Sequence, residues 1–309
     1  LGRILTPNEG ADMPLVAPGA LWLNERMLED QPSRTAYRVA LRRAAHQIWD
    51  RPRVFDDPVA LKIIGSVAAA EVAGKRPPGP SRYLRAFIVA RSRFAEDHLA
   101  EAVANGVKQY VVLGAGLDTF ACRNPFADVR VFEVDYPATQ DWKRRRLEAA
   151  GITIPEALTF TPIDFAKDTL AAGLANAGFK ANEPSFFSWL GVTPYLAEET
   201  VLTTLQWIAG SSSQNGVAFD YVVPRASVNF LHRMAFDGLA ARVAAAGEPF
   251  IGFFDPDKLA RKLREMGFRY LEDLGASEIN ARYFAGRPDK LCVAGAMGRL
   301  MCARGKRSF

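Results

Sequence analysis

From Tyr110 to Thr119 the chain reads Tyr-Val-Val-Leu-Gly-Ala-Gly-Leu-Asp-Thr. A short apolar, β-branched run stops at Gly-x-Gly, and an acid follows two positions later. In an α/β protein this is a buried parallel strand that ends in a glycine turn at the carboxyl edge of its sheet, where such folds bind ligands. A second strand, Val131-Phe132-Glu133-Val134-Asp135-Tyr136, ends in a carboxylate about twenty residues further on, where ribose hydroxyls are read. Glycine turn and strand-end acid together predict a nucleoside pocket.

The local sequence also bears on which nucleoside fits. A dinucleotide fingerprint places a third glycine or alanine three positions after the second. Here that position is Thr119, and Asp118 sets a negative charge where a pyrophosphate needs bare backbone N–H groups. An acid beside the turn suits a ligand carrying an amine and a sulfonium, which is S-adenosyl-L-methionine.

Bulk properties narrow the class. At 309 residues the chain can bury a substantial core in one large or two small domains. No apolar run approaches the roughly 18 residues of a membrane span, and no charged and apolar tandem marks a secretory signal. Three cysteines, Cys122, Cys292 and Cys302, lack metal-ligand spacing and an even count, so we expect no metal, no disulfide framework and a cytoplasmic protein. The net charge of +5 permits nucleic acid as a partner without requiring it.

The order of elements predicts the architecture. Residues 1–20 read as a flexible arm, and residues 21–104 as a helical N-terminal lid. Within the lid, helical spacing runs from Asn24 to about Asp50, Asp57-Pro58 opens a short helix, and a long helix spans 81–105. The core, 105–309, alternates strands at 129–135, 157–164, 184–190 and 217–223 with helices at 137–150, 167–178 and 196–210. Such alternation means a mostly parallel sheet with both faces covered. Residues 225–250 add an inserted helix after the fifth strand, suited to a substrate lid, and Asp255-Pro256 caps the next helix. A short strand near Tyr270, a loop at 280–286 and a strand at 290–296 complete the expectation.

Some charged residues sit where patterning alone leaves their role open. Arg91 lies in the apolar stripe of the long helix, where an unpaired guanidinium costs several kcal/mol. It meets either an internal acid or the carboxylate of a ligand. His98, on the same stripe, reads as a satisfied core histidine. The run Lys143-Arg144-Arg145-Arg146 reads as a solvated helix face, with a nucleic-acid methyltransferase as the alternative.

The residues Ala90-Arg91, Leu113-Gly114-Ala115-Gly116-Leu117-Asp118-Thr119, Phe132-Glu133-Val134-Asp135-Tyr136-Pro137 and Ile163-Asp164-Phe165 resemble the leucine carboxyl methyltransferase-like class I methyltransferases. Within them the chain resembles the bacterial branch that includes secondary-metabolite O-methyltransferases. The resemblance implies a Rossmann-like seven-stranded sheet and S-adenosyl-L-methionine as cofactor. It implies that Arg91 holds the cofactor carboxylate, that Gly114, Ala115 and Gly116 let it approach the backbone, and that Asp118 lies beside its amino-acid end. Asp135, in the motif with Glu133, would take the ribose hydroxyls, Tyr136 the adenine, and Asp164 and Phe165 the adenine amine and face. The resemblance also implies that Arg43 occupies the place of a basic residue in the N-terminal lid that guides the substrate carboxylate in the carboxyl methyltransferases. The fourth strand departs from the pattern, with Trp189-Leu190-Gly191 where the leucine carboxyl enzymes carry an acid facing the cofactor amine.

These readings predict methyl transfer to a small molecule, through a carboxylate or an acidic hydroxyl. A carboxylate needs no base, only a cation such as Arg43 or Arg282 to fix it. A less acidic hydroxyl gains about 10²–10⁴-fold from a general base, for which His232 is the candidate. Trp189, Tyr195, Tyr221 and Phe253 are placed near the pocket mouth. An NAD-dependent oxidoreductase and a cofactor-binding protein without catalysis are the remaining alternatives.

Overall fold

The computed structural model describes residues 34–74, 81–165, 167–228, 230–244 and 249–305. The expected arm and the part of the lid before residue 34 lie outside them. The described part of the stretch expected as a lid forms α1 (Arg34–Trp49), α2 (Ala60–Ile63), α3 (Ser66–Gly74) and the long α4 (Ser81–Ala104). β1 (Gln109–Leu113) and β2 (Arg130–Asp135) carry the two motif strands. After them come α5 (Pro137–Ala149), β3 (Leu158–Pro162), α6 (Leu170–Asn176), β4 (Ser185–Trp189), α7 (Glu198–Ser211) and β5 (Gly216–Val222). The insert is α8 (Phe230–Ala244), and α9 (Pro256–Glu265), β6 (Tyr270–Leu274), α10 (Ala276–Tyr283) and β7 (Gly298–Arg304) follow.

The seven strands lie in the order β3-β2-β1-β4-β5-β7-β6. All neighbours run parallel except β7, which is antiparallel to both β5 and β6. Strand order therefore reverses between β1 and β4, and in open sheets the crevice at that switch receives the ligand. β1, β4 and β5 are buried along their whole length, because both sheet faces are covered. One face packs on α1, α4, α5 and α10 through residues such as Ala44, Phe94, Leu147 and Ile279. The other packs on α6, α7 and α9 through Leu174, Leu205 and Leu263. α4 supplies the centre of the first layer, and twelve of its residues are buried, Arg91 and His98 among them.

The carboxyl-terminal third departs from the expected elements. Residues 280–286 are not all loop, since α10 runs to Tyr283, with Ile279 fully buried and Glu278 accepting the Gly275 N–H at 3.0 Å. Residues 290–296 are not a strand. Leu291 and Val293 are buried as their apolar character requires, but Asn280 satisfies the backbone of Val293, accepting its N–H at 2.8 Å and donating to its carbonyl at 2.9 Å. A side-chain amide thus replaces the ladder, and the seventh strand falls later, at 298–304. α6 also starts later than expected, at Leu170, because Thr169 caps it by accepting from the Ala172 N–H.

Candidate cofactor site

The turn after β1 is fastened to the end of β2 by its own backbone. Gly114 and Ala115 donate to the Val134 carbonyl at 2.8 and 3.0 Å, and Gly116 donates to Asp135 Oδ2 at 2.6 Å. Both glycines have positive φ, 65° and 49°. A Cβ at Gly114 would stand 2.4 Å from Val192 Cγ2, and one at Gly116 2.9 Å from the Ala36 Cβ. The turn is thus overlaid by the loop after β4 on one side and by α1 on the other.

The strand-end acids differ in their surroundings. Asp135 accepts from Gly116 N–H and, at 2.7 Å, from Tyr136 N–H, yet burial raises its carboxyl above the usual range. Asp118 accepts from Phe120 N–H at 2.8 Å. Burial also opposes its ionisation, but Arg43, Lys143 and Arg123 outweigh that and hold its carboxyl below the usual range. The third strand joins the edge where Ile163 N–H donates to the Asp135 carbonyl at 3.0 Å, which sets Asp164 and Phe165 next in line. Both lie partly exposed, Asp164 paired with Lys167 at 2.9 Å and Phe165 packed on the second face.

Arg43 is held against the glycine turn. Its guanidinium donates to the Leu117 carbonyl, lies 3.5 Å from Asp118 Oδ2 and 3.6 Å from Asp57 Oδ2, and is buried. Asp57 in turn accepts from Thr119 Oγ1 at 2.7 Å and faces Arg123 at 3.6 Å, and Arg123 forks onto Glu96. Burial pushes the Glu96 carboxyl up, against the pull of Arg123. This network welds α1, the Asp57 loop and α4 to the glycine turn. Asp57, Glu96 and Arg123 were not legible as site residues, since Asp57-Pro58 reads as a helix start and no motif marks the other two.

Of the two partners left open for Arg91, the structure supplies the internal acid. Nη1 donates to Asp220 Oδ2 at 2.9 Å, so an internal acid does meet it. Its other N–H groups make no hydrogen bond among the described residues. Four donors of the fork therefore remain for a ligand carboxylate. Asp220 stood in plain sight as a lone acid inside the apolar run of β5.

Other nominated residues lie deeper or elsewhere. Glu133 is buried beside Lys143, whose Nζ donates to it, and burial raises its carboxyl. Trp189 is fully buried in the second core layer. Tyr195 ends the turn Thr193–Tyr195 and lies 5.3 Å, centroid to centroid, from Phe250. Phe236 of α8 stacks on Phe250 at 5.6 Å and meets Phe253 edge-on at 6.2 Å. Ile251 and Gly252 donate to the Pro194 carbonyl, which pins this aromatic group at the carboxyl edge. Tyr221 instead points its hydroxyl to Asp273 at 2.7 Å. His232 lies in α8, its side chain outside the described residues. Arg282 is far along the chain on α10 and pairs with Glu272, which also meets His98 at 2.9 Å.

The groups present fit S-adenosylmethionine: a guanidinium with N–H groups beyond its bond to Asp220, a turn of residues without bulk, and a strand-end carboxylate nearby. Comparison with known proteins agrees. The family model for leucine carboxyl methyltransferase matches residues 36–209. A Bacillus subtilis (strain 168) protein, named "Putative S-adenosyl-L-methionine-dependent methyltransferase YktD", is 32% identical over 291 residues, covering 86% of this chain and 95% of its own length. Among solved structures, a "putative methyltransferase" from Thermobifida fusca YX superposes with TM-score 0.52 at 16% identity, over 84% of this chain and 99% of that one. A DUF574 family protein from Streptomyces avermitilis MA-4680 gives TM-score 0.50 at 17% identity, over 85% and 100%. These two show the fold. The chain belongs to the leucine carboxyl methyltransferase family and is an S-adenosylmethionine-dependent methyltransferase.

Proposed function

We propose that this enzyme methylates an acidic hydroxyl on a small, largely aromatic molecule. The observation that supports this most is the group Tyr195, Phe236, Phe250 and Phe253 at the carboxyl edge, beyond the β4 and β5 ends. Aromatic walls suit a flat apolar acceptor. The two cations considered for a carboxylate acceptor are engaged by acids, Arg43 by Asp57 and Asp118, and Arg282 by Glu272. An acidic phenol is already partly ionised near neutral pH and needs no fixing cation.

When bound, the cofactor supplies a methyl group on a sulfonium, which an oxygen lone pair attacks in line. The protein's own part is alignment and exclusion of water. Arg91, the glycine turn and Asp135 would hold the cofactor, and the aromatic group would hold the acceptor ring. A nucleic-acid acceptor fits the basic run less well. Lys143 is buried on Glu133, Arg144 lies 3.9 Å from the Phe160 ring centroid, and Arg146 stacks over Tyr37 and Trp142.

The test is turnover by mass spectrometry with matched pairs of phenols and benzoates. Methylated phenols with untouched benzoates are the expected result, and the reverse pattern rules out the hydroxyl. His232→Ala should leave turnover of acidic phenols within a few-fold, because a base matters little for an acceptor already ionised. Loss of turnover with cofactor affinity intact would make His232 the base.

A further inference from the structure

Asp220 is a buried acid that cofactor binding, as described so far, does not use. It stands on β5, one residue past the Trp189↔Phe219 register pair, level with the departing end of β4. One oxygen accepts from Arg91 Nη1 at 2.9 Å and the other from the N–H of Gly191. Its own carbonyl accepts from Thr193 Oγ1. Each carboxylate oxygen retains acceptor capacity beyond these bonds. The pair is almost enclosed, with 10% of the Arg91 side chain and 5% of that of Asp220 exposed.

The position of this pair is set by small residues. A Cβ at Gly191 would lie 2.5 Å from Arg91 Nη2 and 2.8 Å from Nη1, so only glycine lets the guanidinium lie flat on the β4 turn. The next residue, Val192, presses on Gly114. Glycine turn, β4 turn, guanidinium and Asp220 therefore form one contiguous surface at the point where strand order reverses. The amino-acid end of S-adenosylmethionine is a zwitterion, and a fixed Arg–Asp pair is its electrostatic complement.

We propose that Asp220 binds the α-ammonium of the cofactor, beside the carboxylate carried by Arg91. It thereby supplies from β5 the negative charge that Trp189-Leu190-Gly191 leaves out of the β4 end. The assignment rests on the reading that the amino-acid end of the cofactor lies at Arg91. Binding exchanges the water around the ammonium for Asp220, with the Gly191 N–H keeping the carboxylate oriented.

Calorimetry on the full chain tests this with three ligands: S-adenosylhomocysteine, its analogue lacking the α-amino group, and 5′-methylthioadenosine, which lacks the whole amino-acid end. Wild type should lose about 10- to 100-fold in affinity when the amino group is removed, as for a charge-assisted hydrogen bond. Asp220→Asn should bind S-adenosylhomocysteine weaker by a similar factor and show no further loss with the deaminated analogue. Both proteins should bind 5′-methylthioadenosine equally. Should Asp220→Asn not fold, Gly191→Ala, which displaces the guanidinium, should weaken S-adenosylhomocysteine while sparing 5′-methylthioadenosine. Full amino-group discrimination in Asp220→Asn overturns the proposal, as does an equal loss for 5′-methylthioadenosine, the mark of a structural role. Wild type that binds 5′-methylthioadenosine but not S-adenosylhomocysteine would instead remove the placement of the amino-acid end at Arg91.

Discussion

Asp50 shows how much a single residue carries among the N-terminal helices. It is fully buried and takes Arg85 Nε at 2.7 Å, Arg85 Nη2 at 2.9 Å and His46 Nδ1 at 2.8 Å. His46 Nε2 accepts the Val54 N–H at 3.1 Å, so the ring proton sits on Nδ1 and donates to Asp50. Burial resists the charge, but these donors win and bring the carboxyl down from 3.8 to about 2. A depressed carboxylate gives stability that is fully present above its unfolded value and is lost as pH falls through the folded one. Asp50→Asn should therefore cost about 3–5 kcal/mol at neutral pH, the penalty for breaking a buried pair. It should also flatten the loss of stability between pH 3.8 and about 2. Urea unfolding across that range measures both, and a mutant as stable as wild type at pH 7 would refute the account. At the same scale, Arg43→Gln frees Asp118 and unties α1 from the turn. Cofactor affinity should fall about tenfold with the KM for the acceptor unchanged. A rise confined to the acceptor KM would return Arg43 to guiding the substrate.

At the scale of elements, α1 and the glycine turn share one contact surface. Gly116→Ala brings a Cβ within 2.9 Å of the Ala36 Cβ at a φ of 49°. It should push α1 outward, with a loss of about 1–3 kcal/mol and weaker cofactor binding. Adding Ala36→Gly should restore part of both, leaving the backbone strain and the helix cost of glycine. Equal melting temperatures for the single and double variants would show that the clash is relieved another way. Elements were legible where backbone demands and side-chain pattern coincide. Both motif strands, the Pro137 helix start and the Asp255-Pro256 cap stand within one or two residues of expectation. They failed where one side chain replaces a ladder, as Asn280 does at Val293, because nothing local distinguishes such an extended run from a strand. The site followed the same division. The glycine turn and its acids were readable, whereas Asp57, Arg123 and Asp220 act through partners 62, 66 and 129 residues away, as in Thr119, Asp57 and Arg91. Spacing does not encode such pairings.

On the scale of the whole molecule, a seven-stranded sheet lies between two helical layers, the candidate binding groups come from its carboxyl edge together with α1 and α4, and no helix among the described residues is long and apolar enough to cross a membrane. The insertion of β7 between β5 and β6 has a kinetic consequence. β5 carries Asp220, yet its outer hydrogen-bonding edge has no neighbour until a strand some eighty residues further along arrives. A nascent chain released in order must therefore hold that edge open while α8, α9, β6 and α10 emerge, and an unpaired edge is a template for foreign strands. Cellular folding of this enzyme is thus expected to lean on chaperones during one defined interval of synthesis, between the appearance of β5 and that of β7.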